Sequence, residues 1–268
     1  MKIDHNGWEY YDKLPVEFRL ANIDDFHVKG ALKLGMEFLI KWADKEYFQV
    51  CKVSSNLKGE FIKPFIESHR KLLANIVTTC GTMHGWATAE KCCTLASLVL
   101  ANKPALAVEI GVWGGRSLLP VAMAMKAIGQ GRIIGIDPWD AQVSAQDEIP
   151  DSAEWWAAQD HEKLYKTCLV MIRGAGVESV VNIVRKKSDD VDPPANIGLI
   201  HIDGSHTGQA VKDTERFLPN VTGHVIFDDL TWVGGGVLRA MDVAEEMGFK
   251  EIFRCVNDKG DNWAIFKK

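Results

Sequence analysis

The sequence predicts an α/β protein built on a mostly parallel sheet that helices cover on both faces. From about residue 104 onward, short runs of Val, Ile and Leu alternate with amphipathic segments, an order typical of strand-helix-strand units. The apolar runs are nearly continuous, as expected of strands buried on both sides. Glycine-rich or acidic residues follow several of these runs, so polar groups are expected at the strand ends.

Five core strands are predicted from these runs, and amphipathic helices are predicted between them. The strands cover residues 105–110, 132–136, 179–184, 197–202 and 224–227. The helices cover residues 116–128, 154–173, 207–218 and 236–247, and Gly248 is expected to end the last one. Two further strands, 251–256 and 262–266, flank the turn-forming residues 257–260 and predict a terminal hairpin.

The first hundred residues show a different pattern. Residues 36–53 alternate like a two-stranded ribbon, and a helix is expected over residues 65–79 after Pro64. Thr88 precedes an acidic first turn and an apolar run to Leu100, which predicts an N-cap and a helix leading to the first core strand. We therefore predict a cap or oligomerisation lobe over residues 1–80 and an α/β domain over residues 81–268.

Composition excludes several classes of protein. The 31 Lys and Arg residues against 36 Asp and Glu residues give a net charge of −5, so nucleic acid and anionic membranes are not expected partners. The longest apolar stretch, residues 92–101, is far shorter than the roughly 20 residues of a membrane-spanning helix. The N-terminus lacks a secretory signal pattern, and the six cysteines form no Cys-x-x-Cys pair. A cytoplasmic protein with reduced thiols is expected.

The loop after the first predicted strand reads Glu-Ile-Gly-Val-Trp-Gly-Gly-Arg-Ser over residues 109–117. Glycines let the backbone turn sharply and approach a ligand, and the N-terminus of the next helix offers free N–H groups. The loop favours a nucleotide-like ligand, with a purely structural tight turn as the alternative. Trp113 stands where a dinucleotide-binding Gly-x-Gly-x-x-Gly motif needs its second glycine.

The second predicted strand ends at Asp137, within Gly-Ile-Asp-Pro-Trp. A carboxylate at this place in the sheet can accept hydrogen bonds from both hydroxyls of a ribose. The other interpretation is an ordinary acidic loop residue beside a proline. Because Glu109 and Asp137 end successive strands, both are expected to border one crevice.

Three carboxylates follow the fourth and fifth predicted strands. Asp203 lies in Ile-His-Ile-Asp-Gly-Ser-His, and Asp228 and Asp229 lie in Val-Ile-Phe-Asp-Asp-Leu. Close carboxylates repel one another unless one is protonated or a cation lies between them. Oxygen ligands of this kind suit Mg²⁺, Ca²⁺ or Mn²⁺ better than zinc. Ordinary acidic loops are the alternative.

Together the segments Glu-Ile-Gly-Val-Trp-Gly-Gly-Arg-Ser and Gly-Arg-Ile-Ile-Gly-Ile-Asp-Pro resemble the S-adenosylmethionine pocket of class I methyltransferases. The pattern is most similar to the metal-dependent O-methyltransferases of the catechol and caffeoyl-CoA type, and to related sugar and natural-product O-methyltransferases. The resemblance covers the chain from about Trp86 to the C-terminus. It implies a Rossmann-like, doubly wound seven-stranded sheet of order 3-2-1-4-5-7-6 with an antiparallel last strand, in agreement with the terminal hairpin.

The resemblance also implies roles for individual residues. Asp203, Asp228 and Asp229 match the metal ligands of these enzymes. His206 stands where the catechol-type enzymes carry a lysine that takes the hydroxyl proton, so it is a candidate base, with a helix-capping or supporting role as the alternative. His201 either supports the metal site or is a core histidine, and we favour the core. The implied cofactor contacts are Glu109, Gly111, Trp113, Gly115, Ser117, Asp137, Trp139, Ser188 and Asp189.

The sequence as a whole predicts an S-adenosylmethionine-dependent, metal-assisted O-methyltransferase that acts on a hydroxylated small molecule such as a sugar, a phenol or another natural product. Asp203 and His206 are the expected catalytic residues. Two alternatives stand beside this prediction: a nicotinamide-linked oxidoreductase, and a non-catalytic protein that binds a nucleoside for sensing or assembly. Aromatic residues near the N-terminus, such as Trp8 and Phe18, are expected to be exposed and are consistent with a homodimer or a larger homo-oligomer.

Overall fold

The sheet has seven strands in the order β3-β2-β1-β4-β5-β7-β6. Strands β1 to β5 are parallel, and β7 runs antiparallel to both β5 and β6. The computed structural model describes residues 62–145, 150–256 and 262–268. The predicted α/β class, strand order and antiparallel last strand are all confirmed. The predicted ribbon over residues 36–53 and the hairpin turn over 257–260 lie outside the described residues.

The elements follow one another in an alternating order, and their bounds lie close to the predicted ones. The strands are β1 Leu106–Ile110, β2 Arg132–Ile136, β3 Val181–Val184, β4 Ile197–Ile202, β5 Val221–Phe227, β6 Lys250–Val256 and β7 Asn262–Lys267. The helices are α1 Ile62–Gly81, α2 Ala89–Asn102, α3 Leu118–Ile128, α4 Ala141–Ser144, α5 Pro150–Ala157, α6 His161–Gly174, α7 Gly208–Phe217 and α8 Gly236–Glu246.

One predicted helix is two helices in the structure. The amphipathic pattern over residues 154–173 predicts a continuous helix, whereas α5 ends at Ala157 and α6 begins at His161. The break occurs because the side chain of Asp160 accepts a hydrogen bond from the N–H of Lys163 and so caps α6. A side chain that offers the backbone such a bond competes with helix continuation.

Two apolar clusters bury the sheet from opposite sides. Ala107 of β1 packs into one cluster with residues of α1, α2, α3 and α6, and Val108 packs into the other with residues of α7 and α8. Successive strand residues point to opposite faces, so β1 contributes to both clusters. Helix α1 contributes the buried side chains of Leu73 and Ile76 to the first cluster. Among the described helices, none combines the length and apolar character that crossing a bilayer requires.

Helix α2 begins as the sequence predicts. The side chain of Thr88 accepts a hydrogen bond of 3.1 Å from the backbone N–H of Lys91, which satisfies one N–H of the first helical turn. The turn lies next to the ends of β4 and β5, because the side chain of Lys91 reaches Asp203 and Asp228.

Candidate active site

The ends of four adjacent strands meet at one edge of the sheet. The N–H of Gly111 donates to the carbonyl of Ile136, and the N–H of Asp203 donates to the carbonyl of Ile110, each at 2.9 Å. The N–H of Asp228 donates to the carbonyl of Ile202 at 3.2 Å. These bonds extend the parallel ladders by one residue, so the polar residues after β1, β4 and β5 face one crevice. Ligands of doubly wound sheets bind at this edge.

Two adjoining cavities occupy the crevice, with volumes of about 240 Å³ and about 560 Å³. Asp203 and His206 line both cavities and lie where they meet. The residues that both cavities share are Gly111, Trp113, Trp156, Asp203, Gly204 and His206. Gly111 has a φ of +84°, and a Cβ at this position would collide with the backbone of Asp203. Glycine therefore lets β1 and β4 end this close together.

The smaller cavity is lined by polar groups that suit a nucleoside. Asp137, Ser188 and Asp189, which the resemblance implies as cofactor contacts, all line it. Gln209 of α7 also lines it, and its Nε2 donates to the Oδ1 atoms of Asp189 and Asp213, each at 3.0 Å. Burial raises the pKa of Asp213 to about 6, against the opposing effect of its hydrogen bonds. Neither Gln209 nor Asp213 belongs to a sequence motif that would identify it as a residue of this cavity.

Asp137 holds the glycine-rich loop in place. Its Oδ2 accepts hydrogen bonds of 2.9 Å from the N–H groups of Val112 and Trp113, and its Oδ1 accepts one of 2.7 Å from Trp139. Burial raises the pKa of Asp137, although these three bonds oppose the shift. Each carboxylate oxygen has two lone pairs, so Oδ1 retains capacity for a ribose hydroxyl. The ribose contact stays a prediction.

Three implied cofactor contacts, Glu109, Gly115 and Trp139, do not line either cavity, and their contact with the cofactor stays a prediction. Glu109 is fully buried, and its Oε1 accepts a hydrogen bond of 2.6 Å from Ser117 Oγ. Gly115 packs against Cys168, and Trp139 is a core side chain whose Nε1 donates to the carbonyl of Trp113. Ser117, by contrast, does line the larger cavity.

Tryptophans form one wall of the larger cavity. The rings of Trp86, Trp155 and Trp156 surround Trp113, with centroids 5.0 to 6.0 Å from its ring. The indole N–H of Trp113 donates to His84 Nδ1 at 2.8 Å, which fixes its ring. Trp86 is 64% exposed, an unusual state for so large an apolar side chain. Such a wall can stack on a flat ring.

The carboxylates and His206 form another part of the lining of the larger cavity. His206 Nε2 lies 2.8 Å from Asp229 Oδ2 and 4.0 Å from Asp203 Oδ1, and its ring stacks on Trp232 at a centroid distance of 4.6 Å. Burial lowers the pKa of His206, but its interactions with Asp203 and Asp229 outweigh burial and raise it to about 9. Resting His206 is therefore protonated at neutral pH, not neutral as its unperturbed pKa suggests.

Asp203 also interacts with groups on its other side. His201 Nε2 lies 3.7 Å from Asp203 Oδ2 and 3.5 Å from Asp228 Oδ2, so this buried histidine borders the cluster. The ammonium group of Lys91 contacts Asp228 Oδ2 and lies 3.8 Å from Asp203 Oδ2. Burial tends to raise the pKa of Asp203, yet Lys91 and the two histidines lower it to about 2.

The donor set fits a divalent cation, but the three carboxylates divide between two groups. One group joins His201, Asp203 and Asp228, and the other joins Asp203, His206 and Asp229, with the ligand atoms of each within 4.8 Å of one another. Carboxylate oxygens with imidazole nitrogens suit Mn²⁺, and the carboxylates alone suit Mg²⁺. Sequence reasoning missed Lys91, because a lysine in the first turn of a helix carries no signal that it reaches an acidic cluster.

Comparison with known proteins agrees with this geometry. Residues 108–230 match the family model of a methyltransferase domain, which confirms the resemblance to class I methyltransferases. No curated protein matches the chain significantly. Solved structures show the same fold at low sequence identity. One is a candidate O-methyltransferase from Klebsiella pneumoniae, with 17% identity and a TM-score of 0.50 over 72% of this chain and 87% of that one. Cofactor-bound Rv0187 from MTB has 18% identity and a TM-score of 0.50 over 80% of this chain and 95% of that one. The O-methyltransferase NovP has 14% identity and a TM-score of 0.50 over 69% of this chain and 83% of that one.

Proposed function

We propose that this protein methylates a hydroxyl group of a small molecule, using S-adenosylmethionine and the assistance of a divalent cation. The match of residues 108–230 to the family model of a methyltransferase domain supports the methyl transfer. The observation that carries the proposal is the meeting of the two cavities at Asp203 and His206. A polar pocket sized for a nucleoside and a larger pocket with an aromatic wall thus share one acidic boundary.

The smaller cavity is the proposed seat of the adenosyl group. Asp137 would accept a bond from the ribose, and Ser188 and Asp189 would contact the adenine end. S-adenosylmethionine supplies the methyl group on a positively charged sulfur. The acidic residues at the junction favour a cation there, because opposite charges attract strongly where water is scarce. Ser117 lines only the larger cavity, whereas Gly111 and Trp113 of the glycine-rich loop line both cavities.

The larger cavity is the proposed seat of the acceptor. Its indole wall favours a molecule with a ring, since a flat phenol or the apolar face of a sugar packs well on tryptophan. The carboxylates and His206, which line the same cavity, would receive the hydroxyl. Holding two reactants in line lowers the activation barrier by about 7 to 11 kcal/mol in well-oriented systems.

Asp203, Asp228 and Asp229 are the proposed ligands of the cation. When bound, a divalent cation would polarise the acceptor hydroxyl, lower its pKa and, as a like charge, also lower the pKa of His206. In this proposal His206 takes the proton that the hydroxyl loses as its oxygen gains the methyl group. Asp229, 2.8 Å from His206 Nε2, would hold the imidazole in position and stabilise its protonated form.

A transfer assay tests the proposed function. The protein is incubated with methyl-labelled S-adenosylmethionine and a panel of phenols and sugars, with Mg²⁺ or with a chelator, and label in the acceptor is measured. We expect labelled ether products in the presence of Mg²⁺. With chelator we expect them to form at least about 100-fold more slowly than with Mg²⁺. Equal rates in both conditions would refute the metal role. Cofactor binding without any transfer would instead favour the sensing alternative.

The nicotinamide-linked alternative is not favoured. The glycine-rich loop departs from the dinucleotide-binding spacing at Trp113, and the same residues fall within the methyltransferase family match. Hydride transfer would appear as a change in nicotinamide absorbance when NAD(P) and an alcohol are added. We expect no such change.

A further inference from the structure

Lys91 brings a positive charge into the carboxylate cluster from outside the strands that carry the acids. It lies in the first turn of α2, and its side chain is only 5% exposed. Its ammonium group contacts Asp228 Oδ2 and lies 3.8 Å from Asp203 Oδ2. Among the described residues, Lys91 is the only lysine that is buried. A cation of the chain itself therefore lies against two of the proposed metal ligands.

This placement is unfavourable for a lysine unless the acids compensate it. The N-terminal end of a helix carries partial positive charge, which repels a cation in the first turn. Removing an ammonium group from water adds a further cost. Asp228 and Asp203 offset both effects, because a buried charge is tolerated when it is paired. The position of Lys91 is thus tied to the carboxylates and is not a product of helix propensity.

The same oxygens form one of the two possible metal-binding groups. His201 Nε2, Asp203 Oδ2 and Asp228 Oδ2 surround the region that the Lys91 ammonium approaches. A divalent cation bound to these oxygens would lie next to the ammonium charge and compete for the same lone pairs. Two cations this close repel each other strongly where water is scarce. The ammonium group and a divalent ion therefore compete for Asp228 Oδ2.

We propose that Lys91 is the resident cation of the Asp203 and Asp228 pair, and that a divalent ion binds this pair only by displacing the ammonium group. The proposal rests on the proposed function for the identity of the metal ligands. Lys91 is then a positioning residue that sets metal affinity. Without metal, its ammonium group compensates the negative charge of the two carboxylates. Metal binding requires the Lys91 side chain to withdraw toward the larger cavity, which it lines.

Metal affinity measured without turnover tests the proposal. Mn²⁺ is titrated into the protein, without cofactor or acceptor, and free Mn²⁺ is followed by electron paramagnetic resonance. Lys91→Gln removes the charge and keeps a similar length, so we expect it to bind Mn²⁺ at least tenfold more tightly than the wild type. Lys91→Arg keeps the charge and should bind as weakly as the wild type.

Lys126→Met is the matched control, because it removes one positive charge from an exposed lysine on α3 that bonds only Ser179 among the contacts described. It should leave Mn²⁺ affinity unchanged. An equal Mn²⁺ affinity for Lys91→Gln and the wild type would overturn the proposal and leave Lys91 as an ordinary structural ion pair. A gain of equal size in Lys126→Met would also overturn it, since the effect would then be one of net charge.

A measurement on the unmodified sequence covers the case in which Lys91→Gln does not fold. In protein labelled with ¹⁵N-lysine, a buried and ion-paired ammonium group exchanges its protons slowly enough to give its own resonance. We expect one such signal, which Mg²⁺ abolishes on saturation. A signal that persists at saturating Mg²⁺ would contradict displacement. These readouts are independent of methyl transfer, so a failed transfer assay with a positive Mn²⁺ result refutes only the proposed activity.

Discussion

Ser117 Oγ donates a hydrogen bond of 2.6 Å to Oε1 of Glu109 and thereby joins the start of α3 to β1. The other carboxylate oxygen, Oε2, is buried and has no hydrogen-bond partner among the described residues. The loop between these two residues carries Gly111 and Trp113, which line both cavities. One side-chain bond thus ties the glycine-rich loop to the strand that precedes it.

Ser117→Ala should destabilise the protein by about 1 to 3 kcal/mol, because it leaves the buried Glu109 carboxylate without this donor. Chemical denaturation followed by circular dichroism measures the change. Ser179→Ala serves as the control, since its hydroxyl contacts the exposed Lys126 and should contribute about 0.5 kcal/mol or less. Equal losses for the two variants would show that the bond to Glu109 contributes little.

Asp203→Asn should lower kcat by at least about 100-fold, since Asp203 lies at the junction of the cavities and is shared by both possible metal groups. The affinity for S-adenosylhomocysteine, measured by calorimetry, should change less than about threefold. Asp242→Asn, on the exposed side of α8, removes the same charge and should leave both quantities unchanged. A variant that keeps wild-type turnover would exclude Asp203 from the reaction.

His206→Gln should lower kcat by about 10² to 10⁴-fold, the usual contribution of a positioned acid or base. Glutamine is close in size and can still face Asp229, so the fold should be retained. The thermal midpoint and cofactor affinity serve as internal controls. If turnover falls only in proportion to a loss of cofactor affinity, His206 supports the site without accepting the proton.

Trp86→Ala should raise the KM for the acceptor by at least about tenfold, because the variant removes an exposed part of the aromatic wall. The Kd for S-adenosylhomocysteine should stay within threefold, since Trp86 does not line the smaller cavity. Val170→Ala truncates another exposed apolar side chain, on α6, and should change neither value. An unchanged KM would place the acceptor elsewhere.

Asp213→Asn should be more stable than the wild type near neutral pH. The pKa of Asp213 in the folded protein, about 6, lies above its ordinary value of 3.8, so the folded state binds the proton more tightly than the unfolded state. The free energy of unfolding of the wild type therefore falls by up to about 3 kcal/mol as pH rises from about 4 to about 6. The Asp213→Asn variant does not lose this stability, because asparagine does not ionise.

Unfolding curves of Asp213→Asn and the wild type at pH 4, 5, 6 and 7 measure this difference. The gap between them should widen with pH and level off above about pH 6. Asp242→Asn should run parallel to the wild type at every pH. A constant gap for Asp213→Asn would mean that the Asp213 carboxyl titrates in the folded protein as it does in the unfolded chain.

The residue pattern predicted the parallel strands and the acids at their ends, and the family resemblance implied the strand order. Buried parallel strands need nearly continuous apolar runs, so β1, β2 and β4 were visible with correct or nearly correct bounds. Asp137, Asp203 and Asp228 each follow the last residue of such a run, and parallel strands end at one edge. The apolar runs, together with the strand order that the resemblance implied, therefore placed these three carboxylates at one edge of the sheet.

Only the tertiary structure decided how those groups are used. The Asp137 carboxylate accepts three hydrogen bonds from backbone N–H groups, two in the glycine-rich loop and one in its own loop. The side chain of Trp139 is buried in the core. Lys91 joins the cluster from α2, far away in the chain. Side-chain direction and contacts between distant elements depend on how helices pack on the sheet, and apolar periodicity specifies which face is buried but not which polar atoms meet there.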